Sequence, residues 1–237
     1  MMEMIALDSQ LIPTKGSTLR TRNEKFDTNG FFFLPNLVPD PTKLECDVPE
    51  WRGSRHYYGS VDNYSHVDDE GQVDGSSSRY NWPAYKDLHT KIRLEIEQVL
   101  GKKLYNTYYY DRFYFLGQEL EKHVDRDACE ISVSLMIKTN LKWEYEWPFI
   151  VDSSNPELRE TWITTAPGDA IIYKGCEIPH WRPPLTSKYG RDEPKYKLWA
   201  RRILRGRDDT FWHQAFFHYV LADGNRCEHA FDVSNRY

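Results

Sequence analysis

Cysteine is scarce in this sequence and none of it is paired. Cys46, Cys129, Cys176 and Cys227 are widely scattered with no CxxC spacing, which argues against a zinc knuckle or a disulfide framework and favours a reducing compartment. Long apolar runs are also missing. No segment approaches the roughly 18 apolar residues of a membrane span, and the start, Met1-Met-Glu-Met-Ile-Ala, has no basic n-region. The expectation is a soluble, cytoplasmic protein with no membrane partner. A basic excess is absent too: the net charge is -5 and the pI about 5.9, unlike a general nucleic-acid binder. No internal repeat is detectable.

What is present is aromatic. The 237 residues include 16 Tyr, 11 Phe and 8 Trp within a 40% hydrophobic and 28% charged composition, so a folded chain with heavy aromatic packing is expected. The aromatic excess leans towards a β-rich fold. The length suits one sizeable core, so a single domain over residues 30–237 is expected, preceded by an arm or irregular strand over residues 1–29.

Gly30-Phe-Phe-Phe-Leu-Pro-Asn-Leu-Val38 reads as a buried strand running into a turn at Pro39-Asp-Pro41. Residues 45–81 read as a long loop, either a lid or an excursion. Pro83 to Leu100 is the clear helix: Pro83 suits its first turn, Gly101 its stop, and Tyr85, Leu88, Ile92, Ile96, Val99 and Leu100 make one apolar stripe. The period then turns strand-like, at Leu104 to Leu116, Ile131 to Ile137, Trp147 to Val151, Thr161 to Thr165, Ala170 to Tyr173 and His213 to Leu221. Six or more short strands behind one helix predict a mainly β fold, a closed sandwich or jelly roll with a flanking helix. Residues 186–207 differ, holding eight Lys/Arg against two acidic residues. That basic insertion is either a solvated excursion or a lid that attracts an anionic ligand.

The chemistry centres on Tyr114-Phe-Leu-Gly-Gln-Glu-Leu-Glu-Lys-His123-Val-Asp125, answered 55 residues after Asp125 by Gly175-Cys-Glu-Ile-Pro-His180. A His and an Asp two apart on an extended segment point to the same side. One more imidazole from a neighbouring strand completes three ligands on one face of a metal. Two neutral imidazoles and a carboxylate leave about three octahedral positions open, the arrangement suited to non-haem Fe(II) and O2.

These residues carry a resemblance. Tyr114-x-x-Gly117-Gln118-x-Leu-x-x-His123-x-Asp125, then Gly168-Asp-Ala-Ile-Ile-Tyr and His180, resemble the Fe(II)/2-oxoglutarate-dependent dioxygenases, most closely the prolyl 4-hydroxylase-like branch. The match runs from about Leu104 to Val220, and Asn29 to Val38 resembles the N-terminal strand of that branch. His123-Val-Asp-Arg-Asp-Ala-Cys-Glu-Ile-Ser, Gly175 to Arg182 and Phe217-His-Tyr are similar, more narrowly, to a group frequent in viruses of marine bacteria, which would place the protein in a host cytoplasm.

The resemblance implies a double-stranded β-helix (jelly roll, cupin-like) with His123, Asp125 and His180 as the iron ligands. In that family 2-oxoglutarate chelates the iron and O2 takes the last position, and decarboxylation to succinate and CO2 is coupled to oxidation of a substrate C–H bond. Related halogenases lack the carboxylate ligand, so Asp125 implies hydroxylation, with ascorbate as an aid in keeping Fe(II) reduced. The substrate implied is a peptidyl residue, proline among them, or a free amino acid or small molecule.

The family's 2-oxoglutarate anchor is an Arg or Lys about ten residues beyond the second His, and here the sequence departs. The strand that should carry it begins with Trp212 and His213. Arg182 is the first candidate instead, with Arg202, Arg205 and Arg207 as substitutes; a guanidinium binds a carboxylate through two parallel hydrogen bonds. Tyr114 holds the position from which a phenol assists. Arg126, Trp181 and Tyr173 are expected near the metal. Two alternatives stay open: a non-catalytic metal-binding β-barrel module, and a nucleic-acid demethylase of the same iron chemistry, motivated by residues 186–207. The oligomeric state is not legible.

Overall fold

Side-chain alternation along the strands sorts this chain into a helix-facing side and an interior. A computed structural model describes residues 18–49, 56–61, 64–68, 71–142, 146–187 and 209–231. In chain order the elements are helix α1 (Thr18–Asn29), β1 (Phe31–Leu34), β2 (His56–Val61), β3 (Tyr64–Asp68), β4 (Ser77–Tyr80), helix α2 (Lys86–Leu100), β5 (Leu104–Phe115), β6 (Leu120–His123), β7 (Ile131–Thr139), β8 (Phe149–Asp152), β9 (Glu160–Ile163), β10 (Ala170–Tyr173), β11 (His180–Arg182) and β12 (Phe211–Leu221). Eight strands form one sheet in the order β1-β10-β7-β12-β5-β4-β3-β2, and four form a second in the order β6-β11-β8-β9. From β5 onward the chain passes back and forth between the two sheets, which is the winding of the double-stranded β-helix expected from the sequence.

On the large sheet, Val133, Leu135, Ala170, Ile172, Ala215, Phe217 and Tyr219 pack with Ile92, Ile96 and Leu100 of α2. The intervening residues face the small sheet: Met136, Tyr114 and Phe216 pack with Leu120 of β6 and with Trp147. Polar side chains share that interior, where Gln214 donates to Ser134 and accepts from Arg182. Helix α2 follows a 3-10 turn at Pro83–Tyr85 and stops at Gly101, whose φ of 65° lets its N–H donate to the Glu97 carbonyl at 2.8 Å.

Two expectations are corrected. The arm or irregular strand over residues 1–29 is helical from Thr18 to Asn29; α1 buries Phe26 against the α2 layer. Two apolar residues, Leu19 and Phe26, in three turns make too sparse a stripe for periodicity to register, so docking rather than local pattern stabilises this helix. The long loop at 45–81 contains β2, β3 and β4, which extend the large sheet from the β5 edge with Ser77 opposite Phe113 and Tyr80 opposite Tyr110. The polar Ser-Ser-Arg-Tyr of β4 has no strand pattern of its own; the hydrogen-bonding edge of β5 imposes it. The basic insertion lies outside the described residues from 188 to 208, as do Arg202, Arg205 and Arg207. No described helix is long and apolar enough to cross a membrane.

Candidate metal centre

Strand pairing, more than the His-x-Asp spacing, brings the predicted ligands together. His123 ends β6 and His180 begins β11, and the two are cross-strand partners with ring centroids 4.4 Å apart. Asp125 lies two residues beyond the end of β6 and is tethered by its N–H, which donates to the Gly175 carbonyl at 2.8 Å. Its Oδ1 is 3.5 Å from both His123 Nε2 and His180 Nε2. The three ligating atoms lie within 4.8 Å of one another.

Backbone carbonyls select the tautomers. His123 Nδ1 is 2.8 Å from the Glu121 carbonyl, and His180 Nδ1 is 2.9 Å from that of Ile178. A carbonyl only accepts, so each Nδ1 carries a proton and each Nε2 turns towards Asp125, donating to it when the ring is protonated and offering its lone pair to a metal when the ring is neutral. Burial alone would raise the Asp125 carboxyl, but bonding to His123 and His180 outweighs it and holds the group far below the usual carboxylate range. For His123 burial lowers the affinity for protons, yet Asp125 prevails and raises it. Protons therefore compete for this imidazole more strongly than for a free one as pH falls. Two imidazoles, one carboxylate and open positions fit a divalent first-row metal such as Fe(II).

A further layer orients Asp125. Ser132 donates its hydroxyl to Asp125 Oδ2 at 3.0 Å and sits 3.0 Å from His218 Nδ1; having spent its one hydrogen, it accepts from His218. The His218 ring is buried and stacked on Tyr108 at 4.6 Å, and burial pulls it down to about 4. Gly175 completes the cradle, since a Cβ there would overlap the Cys129 carbonyl, Asp125 Oδ2 and Ser132 Oγ.

Arg182 points inward, two positions after His180. It is 2% exposed, enclosed by Trp147, Trp212 and Phe149 with ring centroids 4.5, 5.1 and 5.3 Å from its guanidinium. It donates to the Trp147 carbonyl at 2.6 Å and to Gln214 Oε1 at 2.8 Å, and its Nε–H has no acceptor. Among the described residues no carboxylate pairs with it, and burial pulls it down to about 10. An unpaired buried cation is costly, and a carboxylate ligand is the group that would relieve it. Tyr114 is fully buried in the same interior, its ring 5.0 Å from that of Trp147 and its hydroxyl 3.4 Å from Arg112. The residues present thus fit both a divalent metal and an acidic ligand.

Other expected neighbours divide. The Tyr173 ring is 4.6 Å from that of His180, and Arg126 stacks over Tyr108 at 4.3 Å. Trp181 alternates outward, where Lys122 covers it at 4.5 Å. His213 faces the opposite side of the sheet, 2.8 Å from Asp111. Sequence reasoning missed Gln72, Ser132, Gln214 and His218. Alternating serines at 132 and 134 within an apolar strand, and a glutamine in the middle of the last one, were the available signals of a polar interior; Gln72 had none.

No family model matches the sequence, and no curated protein matches it. Solved structures do. A prolyl-4-hydroxylase from Pseudomonas putida is similar at 16% identity and a TM-score of 0.53, over 84% of this chain and 98% of that one. A 2OG-Fe(II) oxygenase family oxidoreductase from Burkholderia pseudomallei is similar at 12% and 0.53, over 88% and 93%. A prolyl hydroxylase from Trichoplax adhaerens, solved with a peptide fragment of the hypoxia inducible factor oxygen degradation domain, is similar at 14% and 0.53, over 85% and 90%. The likeness is one of fold: this chain has the fold of the 2-oxoglutarate and Fe(II) oxygenases, prolyl hydroxylases included.

Proposed function

We propose that this protein is an Fe(II)- and 2-oxoglutarate-dependent oxygenase that hydroxylates an aliphatic C–H bond of a peptidyl residue or a small molecule. One observation carries the reading: the His123, Asp125 and His180 cluster shares an interior with a buried guanidinium, Arg182, that no carboxylate among the described residues neutralises. The metal and 2-oxoglutarate supply the oxidising chemistry. The chain's own residues bind and orient. His123, Asp125 and His180 hold the metal, each imidazole locked by its Nδ1 bond to a backbone carbonyl and Asp125 by Ser132. Arg182, with Gln214 fixing one end of its guanidinium, receives the distal carboxylate, and Tyr114 lies on the same interior wall. The aromatic enclosure of Trp147, Trp212 and Phe149 excludes water and strengthens that ion pair.

The test is anaerobic titration of apoprotein with Fe(II) and then 2-oxoglutarate, following the visible charge-transfer absorption of the chelate. The band is expected in wild type, absent in His180→Ala, and shifted to about 30-fold higher 2-oxoglutarate in Arg182→Ala, the loss of a charge-assisted pair. A wild type with no band would favour a non-catalytic metal-binding module instead.

A further inference from the structure

The lone pair of His123 Nε2 has a second claimant. Gln72, in the turn between β3 and β4, places its amide nitrogen 3.1 Å from His123 Nε2. Its orientation is fixed from the other end, because Arg112 donates to Gln72 Oε1 at 2.9 Å and a guanidinium can only donate. The amide oxygen therefore faces Arg112 and the N–H faces His123. Since His123 Nδ1 carries the ring proton, Nε2 accepts from Gln72 with the one in-plane lone pair that a metal would use. Hydrogen bond and metal bond exclude each other at that atom.

The backbone beneath Gln72 is held in place. Val73 is buried in the cluster with Tyr110, Tyr114 and Trp147, the Gln118 amide donates to the Asp74 carbonyl at 2.9 Å, and the Ser76 N–H donates to the Val73 carbonyl at 3.0 Å. The exposed side chain, tethered at Oε1 by Arg112, is the part that can shift. When a metal takes Nε2, the amide stays at the mouth of the centre with a donor to spare.

We propose that Gln72 is a positioning residue of this metal centre: its amide N–H competes with the metal for His123 and, once displaced, donates to an oxygen atom of 2-oxoglutarate. The proposal rests on the metal-centre reading above. It places a functional side chain in the stretch between β3 and β4, where no sequence motif marks one, and gives Arg112 the task of keeping the amide's donor end inward.

The experiment uses Co(II), whose visible absorption reports coordination without turnover, added to the full-length apoprotein of wild type, Gln72→Ala and Gln72→Glu. Gln72→Ala is expected to bind Co(II) about fivefold more tightly, the worth of one hydrogen bond, and the Co(II)-loaded variant to bind 2-oxoglutarate about fivefold more weakly. Gln72→Glu is expected to tighten Co(II) at least as much, because an ionised carboxylate donates nothing to Nε2. Gln72→Glu keeps an acceptor for the buried Arg112 and should keep the wild-type melting temperature; Gln72→Ala removes one and should melt slightly lower, so Co(II) is titrated well below both transitions. Unchanged or weaker Co(II) binding in Gln72→Ala, or tighter Co(II) with unaltered 2-oxoglutarate affinity, overturns the role of Gln72. Absence of the Co(II) signal in wild type, or its persistence in His180→Ala, overturns the metal-centre reading along with it.

Discussion

At the scale of single residues, the candidate metal centre depends on an atom that is not there. Gly175 has room for no Cβ, because that space is filled by Asp125, Ser132 and the Cys129 carbonyl. Gly175→Ala should therefore displace the Asp125 carboxylate and weaken metal binding by about 10- to 100-fold, the usual cost of a disturbed outer layer, as measured by Co(II) titration. The helix-facing side of the large sheet shows a different use of buried charge. Cys46, Asp111 and His213 also gather ligand atoms, but Asp111 is already committed, pairing with Arg79 and bonding to His213 at 2.8 Å and Tyr85 at 3.2 Å. Burial pushes its carboxyl up, yet His213 and Arg79 outweigh that and hold it at about 2. Asp111→Ala strands Arg79 and His213 and should cost about 3–5 kcal/mol in urea unfolding. The candidate metal cluster was legible in sequence because His-x-Asp and a distant His combine scarce residue types at a distinctive spacing. Gln72 was not, since an amide on a turn gains its meaning only from what lies across from it.

At the scale of elements, legibility followed periodicity. Helix α2 carries a continuous apolar stripe with a proline at one end and a glycine at the other, so both bounds could be read. Helix α1 offers only Leu19 and Phe26 as apolar residues, with Phe26 at 0% exposure, so its place in the fold is decided by contact with α2. Phe26→Ala should therefore cost about 3–4 kcal/mol in thermal or chemical unfolding, a disproportionate loss for one residue of a terminal helix. Strands β2 to β4 were invisible because a polar edge extension takes its conformation from its neighbour's hydrogen bonds. Short β6 and β11 were visible only as motif carriers, although their pairing sets the distance between the two histidines.

At the scale of the whole molecule, burial of histidine couples stability to pH. His89 sits among Tyr109, Phe217 and Tyr219, its Nε2 3.0 Å from the His218 carbonyl, and burial pulls it down to about 3 from an ordinary value near 6.5. The folded state keeps this ring neutral while the unfolded chain protonates it below 6.5. Its stabilising contribution is thus complete above that value and falls by about 1.4 kcal/mol per pH unit between 6.5 and 3. His213, lowered by burial despite Asp111, acts in the same direction. Urea unfolding at stepped pH should show this slope, and His89→Gln should flatten it.

The sequence by itself determined the β-rich class, the position of α2 and which three residues to look for as a candidate metal cluster, because aromatic content, periodicity and residue scarcity are properties of the chain alone. Only the tertiary structure decided that Arg182 is buried without a carboxylate partner among the described residues, that Ser132 and Gly175 hold Asp125, and that Gln72 meets His123. Each of these depends on which strands become neighbours across two sheets, a relation between residues 40 or more positions apart for Gly175 with Ser132 and for Gln72 with His123, which local pattern does not encode.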